Sequence, residues 1–310
     1  VFLDKASNIE TKAYEQLISR APDTPSRPIT EHLWKNLVFH PDCRNPVADI
    51  LRELTIGFPS LFGGAQQKLE LKKKERVDLA SKHSRRLRYL QIWDSVATSM
   101  GAPRVEHYFH EFDGTPPRIF PGRSNVLFVG KQSMVFKEMP RDEIVWILSR
   151  ELTFARPEFC AVRALSAYDV ALMLEATVRL FTGGKASGMK QSLEKPKVDQ
   201  MQELLTGYFQ KDKRMQEVLQ PLVTECMDKR SLVSFREFLY GVEHTASRVA
   251  LLLSNDIRSV IQGLNYTEPV TDMSERRRMR EIRWFLMSDE HFTLREQLGL
   301  QLTHVSKPNG

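Results

Sequence analysis

Eight histidines and three cysteines are the side chains of this 310-residue sequence best suited to hold a metal or attack a carbonyl. Their spacing decides which chemistry is open to them. Cys43, Cys160 and Cys226 stand far apart, odd in number and without a Cys-x-x-Cys pair, which argues against a thiolate zinc site and a disulfide framework. His107 and His110 lie in residues 104–112, whose alternation and β-forming residues predict a strand. Three positions apart on a strand, the two rings leave by opposite faces and do not share an ion. His244 follows Glu243 directly and points elsewhere on a predicted helix, while His32, His40, His83, His291 and His304 are scattered without acids at ligand spacing. No local signature of a serine or cysteine nucleophile is present. Gly183-Gly184-Lys185 lacks the remainder of a phosphate loop and reads as a turn. The histidines therefore read as core or surface residues, with no metal site and no cofactor implied.

The elements that must position these residues are mostly helical. Short helices are predicted over 12–19 and 31–36, broken by Pro22, Pro25, Pro28 and Pro41. Asn45-Pro46 can start a helix through Ile50 and Leu54, and Gly57-Phe58-Pro59 stops it. A long helix is expected over roughly 66–99, ended by Gly101-Ala102-Pro103. After the strand at 104–112 comes a turn at 113–117, and then two short strands at 124–130 and 133–136. Pro140 opens an apolar helix through Ile144, Ile147 and Leu152, which Pro157 ends or kinks. Residues 161–180 are apolar almost all round, as for one buried helix, and Gly183-Gly184 and Gly188 form a loop. Further helices are expected over 198–209, 214–226, 234–253, 274–287 and 290–298. No internal repeat is evident.

One segment carries a resemblance. From Asn125 to Arg156 the chain reads NVLFVGKQSMVFKEMPRDEIVWILSRELTFAR: a short hairpin, a Pro-started helix, then Arg150-Glu151-Leu152-Thr153-Phe154. This order resembles the active-site core of gluzincin metallopeptidases, nearest the CAAX-prenyl-protease and HtpX type, whose helix carries His-Glu-x-x-His. The likeness resumes at Tyr240-Gly241-Val242-Glu243-His244-Thr245-Ala246-Ser247-Arg248, where Glu243 stands at the position of that family's third zinc ligand. Ser247 stands where an Asp is usual. The resemblance spans about Pro103 to Leu264, and nothing before Gly101 takes part in it. It implies a mainly α (α+β) chain: a zincin-like metallopeptidase fold with a small sheet over 101–305, preceded by a helical N-terminal region over 1–100.

The departures from the family pattern matter more than the matches. His-Glu-x-x-His works because residues four apart share one helix face, so both imidazoles reach one zinc. The intervening Glu accepts a proton from the zinc-bound water. Here the imidazole positions are Arg150 and Phe154, a permanent cation and a ring without a ligand atom. Only Glu151 and Glu243 survive, so the resemblance implies a pseudo-peptidase. Arg150 is expected to take the place of the metal, its charge paired to Glu243 and Glu151, with Phe154 filling the space of the second imidazole. The plain structural alternative makes Arg150 and Glu151 exposed helix residues and Glu243 an unrelated surface acid.

Composition sets the remaining bounds. The chain is 41% hydrophobic and 27% charged, enough for a sizeable core, and no run of 18 apolar residues suggests a membrane span. Val1-Phe2-Leu3-Asp4-Lys5 reads neither as a signal peptide nor as a natural start, so a piece of a longer polypeptide is expected, and the cysteine usage favours the cytoplasm. Much of the net charge of +6 sits in residues 68–88, read as a basic amphipathic helix, with a second cluster at Arg276-Arg277-Arg278. The bland reading of the first run is a solvated helix face; no nucleic-acid motif accompanies it, which leaves nucleic acid a weaker candidate partner than protein. The function expected is a non-catalytic interaction or scaffold module. An extended peptide would add to an edge strand at 124–130, through Asn125, Val126 and Phe128. An acidic partner surface would meet Lys72, Lys73, Arg85 and Arg86. The competing expectation is a metal-dependent hydrolase with an unusual or relocated site.

Overall fold

Asn45 caps the first long helix, its side chain accepting from the Val47 N–H at 2.9 Å, and Pro46 fills the first position of α1 (Pro46–Gly57). The computed structural model describes residues 24–63, 71–81, 87–110, 114–122, 124–133 and 139–300. Before α1, a helical turn at Glu31–Leu33 runs into a π-helical stretch, Trp34–Val38. The expected helix at 12–19 and the strand residues 134–136 lie outside the described residues.

The long helix expected over 66–99 is much shorter: α2 spans Arg88–Met100 and stops at Gly101, whose φ of 59° suits a residue without Cβ. Lys72 and Lys73 are exposed and belong to no α-helix. Lys73–Glu75 is a single 3₁₀ turn, Arg76 forms an antiparallel bridge with Tyr108, and the Val77 N–H donates to the His107 carbonyl at 2.8 Å. After that one turn, residues 76 and 77 bond to a distant strand and do not continue a helix, which a helical charge pattern does not reveal. Arg85 and Arg86 lie outside the described residues.

Among the described residues, three strands form one sheet: β1 (Val105–His110), β2 (Arg118–Phe120) and β3 (Asn125–Gly130), in the order β1-β3-β2. β3 runs parallel to β1, Val105 opposite Asn125, and antiparallel to β2, Ile119 opposite Leu127. This corrects the expectation of an edge at 124–130. β3 is the middle strand, its backbone paired on both sides, and Val126 and Phe128 are buried. The reason is β2, which the Pro116-Pro117 turn signal conceals.

The helices that follow are α3 (Arg141–Thr153), α4 (Pro157–Ala164), α5 (Ala167–Thr182), α6 (Lys195–Phe209), α7 (Lys213–Asp228), α8 (Phe235–Ser254), α9 (Ile257–Tyr266), α10 (Glu275–Leu286) and α11 (Asp289–Gln297). The single helix expected over 161–180 is thus two. Ser166 separates them, its hydroxyl accepting from the Asp169 N–H at 3.1 Å and donating to that residue's carboxylate at 2.6 Å. α9 has no counterpart among the helices that the sequence pattern predicts; its Gly263 lies so close to α3 that a Cβ there would overlap the Trp146 ring.

α3 and α8 cross at the centre. Every residue of α3 from Ile144 to Thr153 is buried, and so is every residue of α8 from Phe238 to Ser254. α1 packs on α4 and α7, α2 packs on α3, and one hydrophobic cluster runs from Ile29 to Leu300. The chain is mainly helical with a small three-stranded sheet, and no described helix is long and apolar enough to cross a membrane.

Candidate functional site

Arg150 sits in the last turn of α3, where its side chain points across to α8 and is wholly buried. Its Nη2 donates to both oxygens of Glu243, at 2.8 and 3.0 Å, and to the Glu268 carbonyl at 2.8 Å. Its Nη1 donates to Glu151 Oε1 at 3.0 Å. Glu243 also accepts from the Val270 N–H at 3.1 Å, so the loop between α9 and α10 closes over the pair from outside. Arg150, Glu151 and Glu243 are therefore not the exposed residues of the plain alternative, being 0%, 2% and 0% accessible.

Burial alone would push the Glu243 carboxyl up. The Arg150 guanidinium, through its charge and its hydrogen bonds, more than reverses this and holds the group below the usual carboxylate range. Burial likewise opposes the charge on Arg150, and Glu243 and Glu151 together raise its affinity for the proton. Phe154, fully buried, presents its ring 5.2 Å from the Arg150 guanidinium carbon and 5.4 Å from that of Arg163. Positions 150 and 154 thus face one point, but neither offers a lone pair to a cation. Both glutamates are already engaged by guanidinium groups. These residues do not fit a zinc ion.

Glu151 ties the site to the sheet. Its Oε2 accepts from Arg163 Nη2 at 2.7 Å and from the Ile119 N–H at 2.9 Å, so the outward N–H of edge strand β2 ends on a side chain. Beside this edge lies a cleft of about 660 Å³ lined by Arg118, Glu151, Arg163, Thr267, Glu268 and Arg278 among others. Asn125 takes no part in it; its side-chain amide donates to the Ala155 carbonyl at 3.2 Å and anchors β3 to the end of α3. Lys72 and Lys73 precede the bridge to β1, at the sheet edge opposite β2, so they too are separate from the cleft.

Arg163 carries no local signal in the sequence, and Arg278 merges there into a run of three arginines. The helical period singles it out: 278, 282 and 285 fall on one buried face of α10. Arg276 is exposed, whereas Arg277 is half-buried and paired with Glu237 at 2.6 Å. A second cluster joins residues 40, 244 and 281. His40 Nε2 lies 3.3 Å from Glu281 Oε1, and the candidate ligand atoms of His40, His244 and Glu281 lie within 4.8 Å of one another. This corrects the reading of His40 as a histidine without a partner acid. Burial and then the neighbouring His40 lower His244 to about 4, and its Nδ1 has no hydrogen-bond partner. Against metal binding, Arg248 already donates twice to Glu281 Oε1, at 2.6 and 3.3 Å.

No protein-family model, no curated protein and no solved structure matches the chain.

Proposed function

We propose that this chain is a pseudo-peptidase: a zincin-like domain over residues 101–305, behind a helical region over 1–100, that holds a protein or extended peptide without cutting it. The observation that carries the reading is the Arg150 guanidinium between the Glu243 and Glu151 carboxylates, at 2.8 and 3.0 Å. At the positions where the resemblance calls for a dication on a helix face, a fixed monovalent cation is bound instead. A buried carboxylate pair needs such a partner once the metal is gone. The module then serves as an interaction or scaffold element in the cytoplasm, with the cleft beside β2 as its docking place. The test is elemental analysis of untagged protein dialysed without chelator. Well below one zinc per chain is expected; close to one would overturn the reading.

The second reading, a hydrolase with a relocated metal, is favoured by the meeting of His40, His244 and Glu281. A set of two imidazoles and a carboxylate suits zinc. The guanidinium of Arg248 on Glu281 speaks against it, since a metal would have to share that carboxylate with a cation. If zinc is found, its loss in His244→Ala with retention in Arg150→Met would establish this second reading.

A further inference from the structure

The cleft beside β2 carries more positive than negative charge. Among the described residues, Arg150 and Arg278 are buried and the Arg163 side chain is only 6% accessible, around only two buried carboxylates, Glu151 and Glu243. At the rim, Arg118 and Glu268 offset one another at 3.7 Å, both reaching solvent. Glu275 is exposed at the start of α10, where water screens its field. Among the described residues, one positive charge is left over.

That charge resides on arginines with poor partners. Arg278 is 5% accessible; its Nη1 makes one long hydrogen bond, 3.4 Å to the Thr267 carbonyl, stands 3.8 Å from Glu243, and its Nε has no partner. Arg163 spends Nη2 on Glu151, and its Nε is likewise unpartnered. Burial, with the Arg150 charge adding to it, holds both guanidinium groups below their ordinary proton affinity. Buried polar groups normally find partners, and an uncompensated buried charge is costlier still. Both arginines line the same cleft, whose volume of about 660 Å³ suits a few residues of peptide.

We infer that this cleft binds a carboxylate of a peptide ligand, an acidic side chain or a chain terminus, against Arg163 and Arg278 with Arg118 at its mouth. A single carboxylate matches the one surplus charge, whereas a phosphate dianion overshoots it. Planar guanidinium groups also suit a carboxylate's two oxygens. The inference rests on the pseudo-peptidase reading only in taking the ligand to be a peptide.

The test is titration by NMR of the full chain with four acetylated alanine pentapeptides. One carries a central glutamate and an amidated end, one a free terminal carboxylate, one neither, and one a central lysine. Binding of the first or second about tenfold tighter than the third is expected, as for one charge-assisted contact. Which of the two binds identifies the source of the carboxylate. The Arg278→Gln variant should abolish the preference. Arg118→Glu, at an exposed position that does not threaten folding, should weaken the acidic peptide severalfold and decides the matter if Arg278→Gln does not fold. Equal affinity for the neutral peptide, no binding of any peptide, or indifference to Arg118→Glu would overturn the inference. Mass spectrometry of the same samples separates the two claims. Cleavage of a peptide would refute the pseudo-peptidase reading and leave the carboxylate preference standing, whereas intact peptides without that preference refute this inference alone.

Discussion

Replacing Arg150 and Phe154 by histidine tests the pseudo-peptidase reading most directly. Both positions face one point beside Glu243, so Arg150→His with Phe154→His would complete a two-histidine, one-glutamate ligand set. The substitution first removes a guanidinium that makes four hydrogen bonds, to two oxygens of Glu243, to Glu151 and to the Glu268 carbonyl. Breaking a buried pair from one side costs about 3–5 kcal/mol. At about 2–4 °C per kcal/mol, a value for chains somewhat shorter than this one, the metal-free variant should melt about 6–20 °C below the parent. Zinc at a hundred to a thousand times its dissociation constant would restore about 2.7–4.1 kcal/mol, nearly the whole loss. The assay is thermal denaturation with and without zinc, with metal content measured on the same protein. Adding Glu243→Gln to the double variant should abolish the response. A folded double variant that takes up no zinc, and melts at one temperature whatever the metal, would refute the reasoning.

Three further outcomes follow from the packing. Burial lowers His107 to about 3 and His244 and His291 to about 4, so all three are neutral in the fold at pH 5 while unfolded histidines, near 6.5, are protonated. The native state therefore binds fewer protons, and stability is lost as pH falls below about 6.5, by about 2 kcal/mol per histidine between pH 8 and pH 5. Urea denaturation across that range measures it, and a flat profile would contradict the burial of these rings. Gly263→Ala should destabilise by at least about 1–3 kcal/mol, because its Cβ meets the fully buried Trp146 between α3 and α9. An unchanged urea midpoint would rule that contact out. Finally, Trp34, Trp93 and Trp146 are buried while Trp284 is 58% exposed, so acrylamide should quench a single class of tryptophan fluorescence, absent in Trp284→Phe.

Which parts of this architecture are visible in one dimension follows from the range of the interactions involved. The period of α3 and the four-residue step from Arg150 to Phe154 are local, and they alone put both side chains on one side of one helix. Glu243 was reached through the resemblance of a second segment, and the prediction that Arg150 would pair with it needed only the rule that buried charges seek opposite partners. The extent of α2 was not legible, because residues 76 and 77 exchange backbone bonds with β1, about thirty residues on, which no helical pattern encodes. The same holds for β3. Its composition reads as a strand, but its place in the middle of the sheet depends on β2, a strand of three residues directly after a proline pair. Arg163 and the meeting of His40, His244 and Glu281 belong to the tertiary structure entirely, as does the approach of Arg278 to Glu243, although its helical period marks Arg278 as inward-facing. Each is an ordinary residue on its own element, and only the packing of α4, α8 and α10 around α3 decides which charges share a desolvated space and which are left without partners.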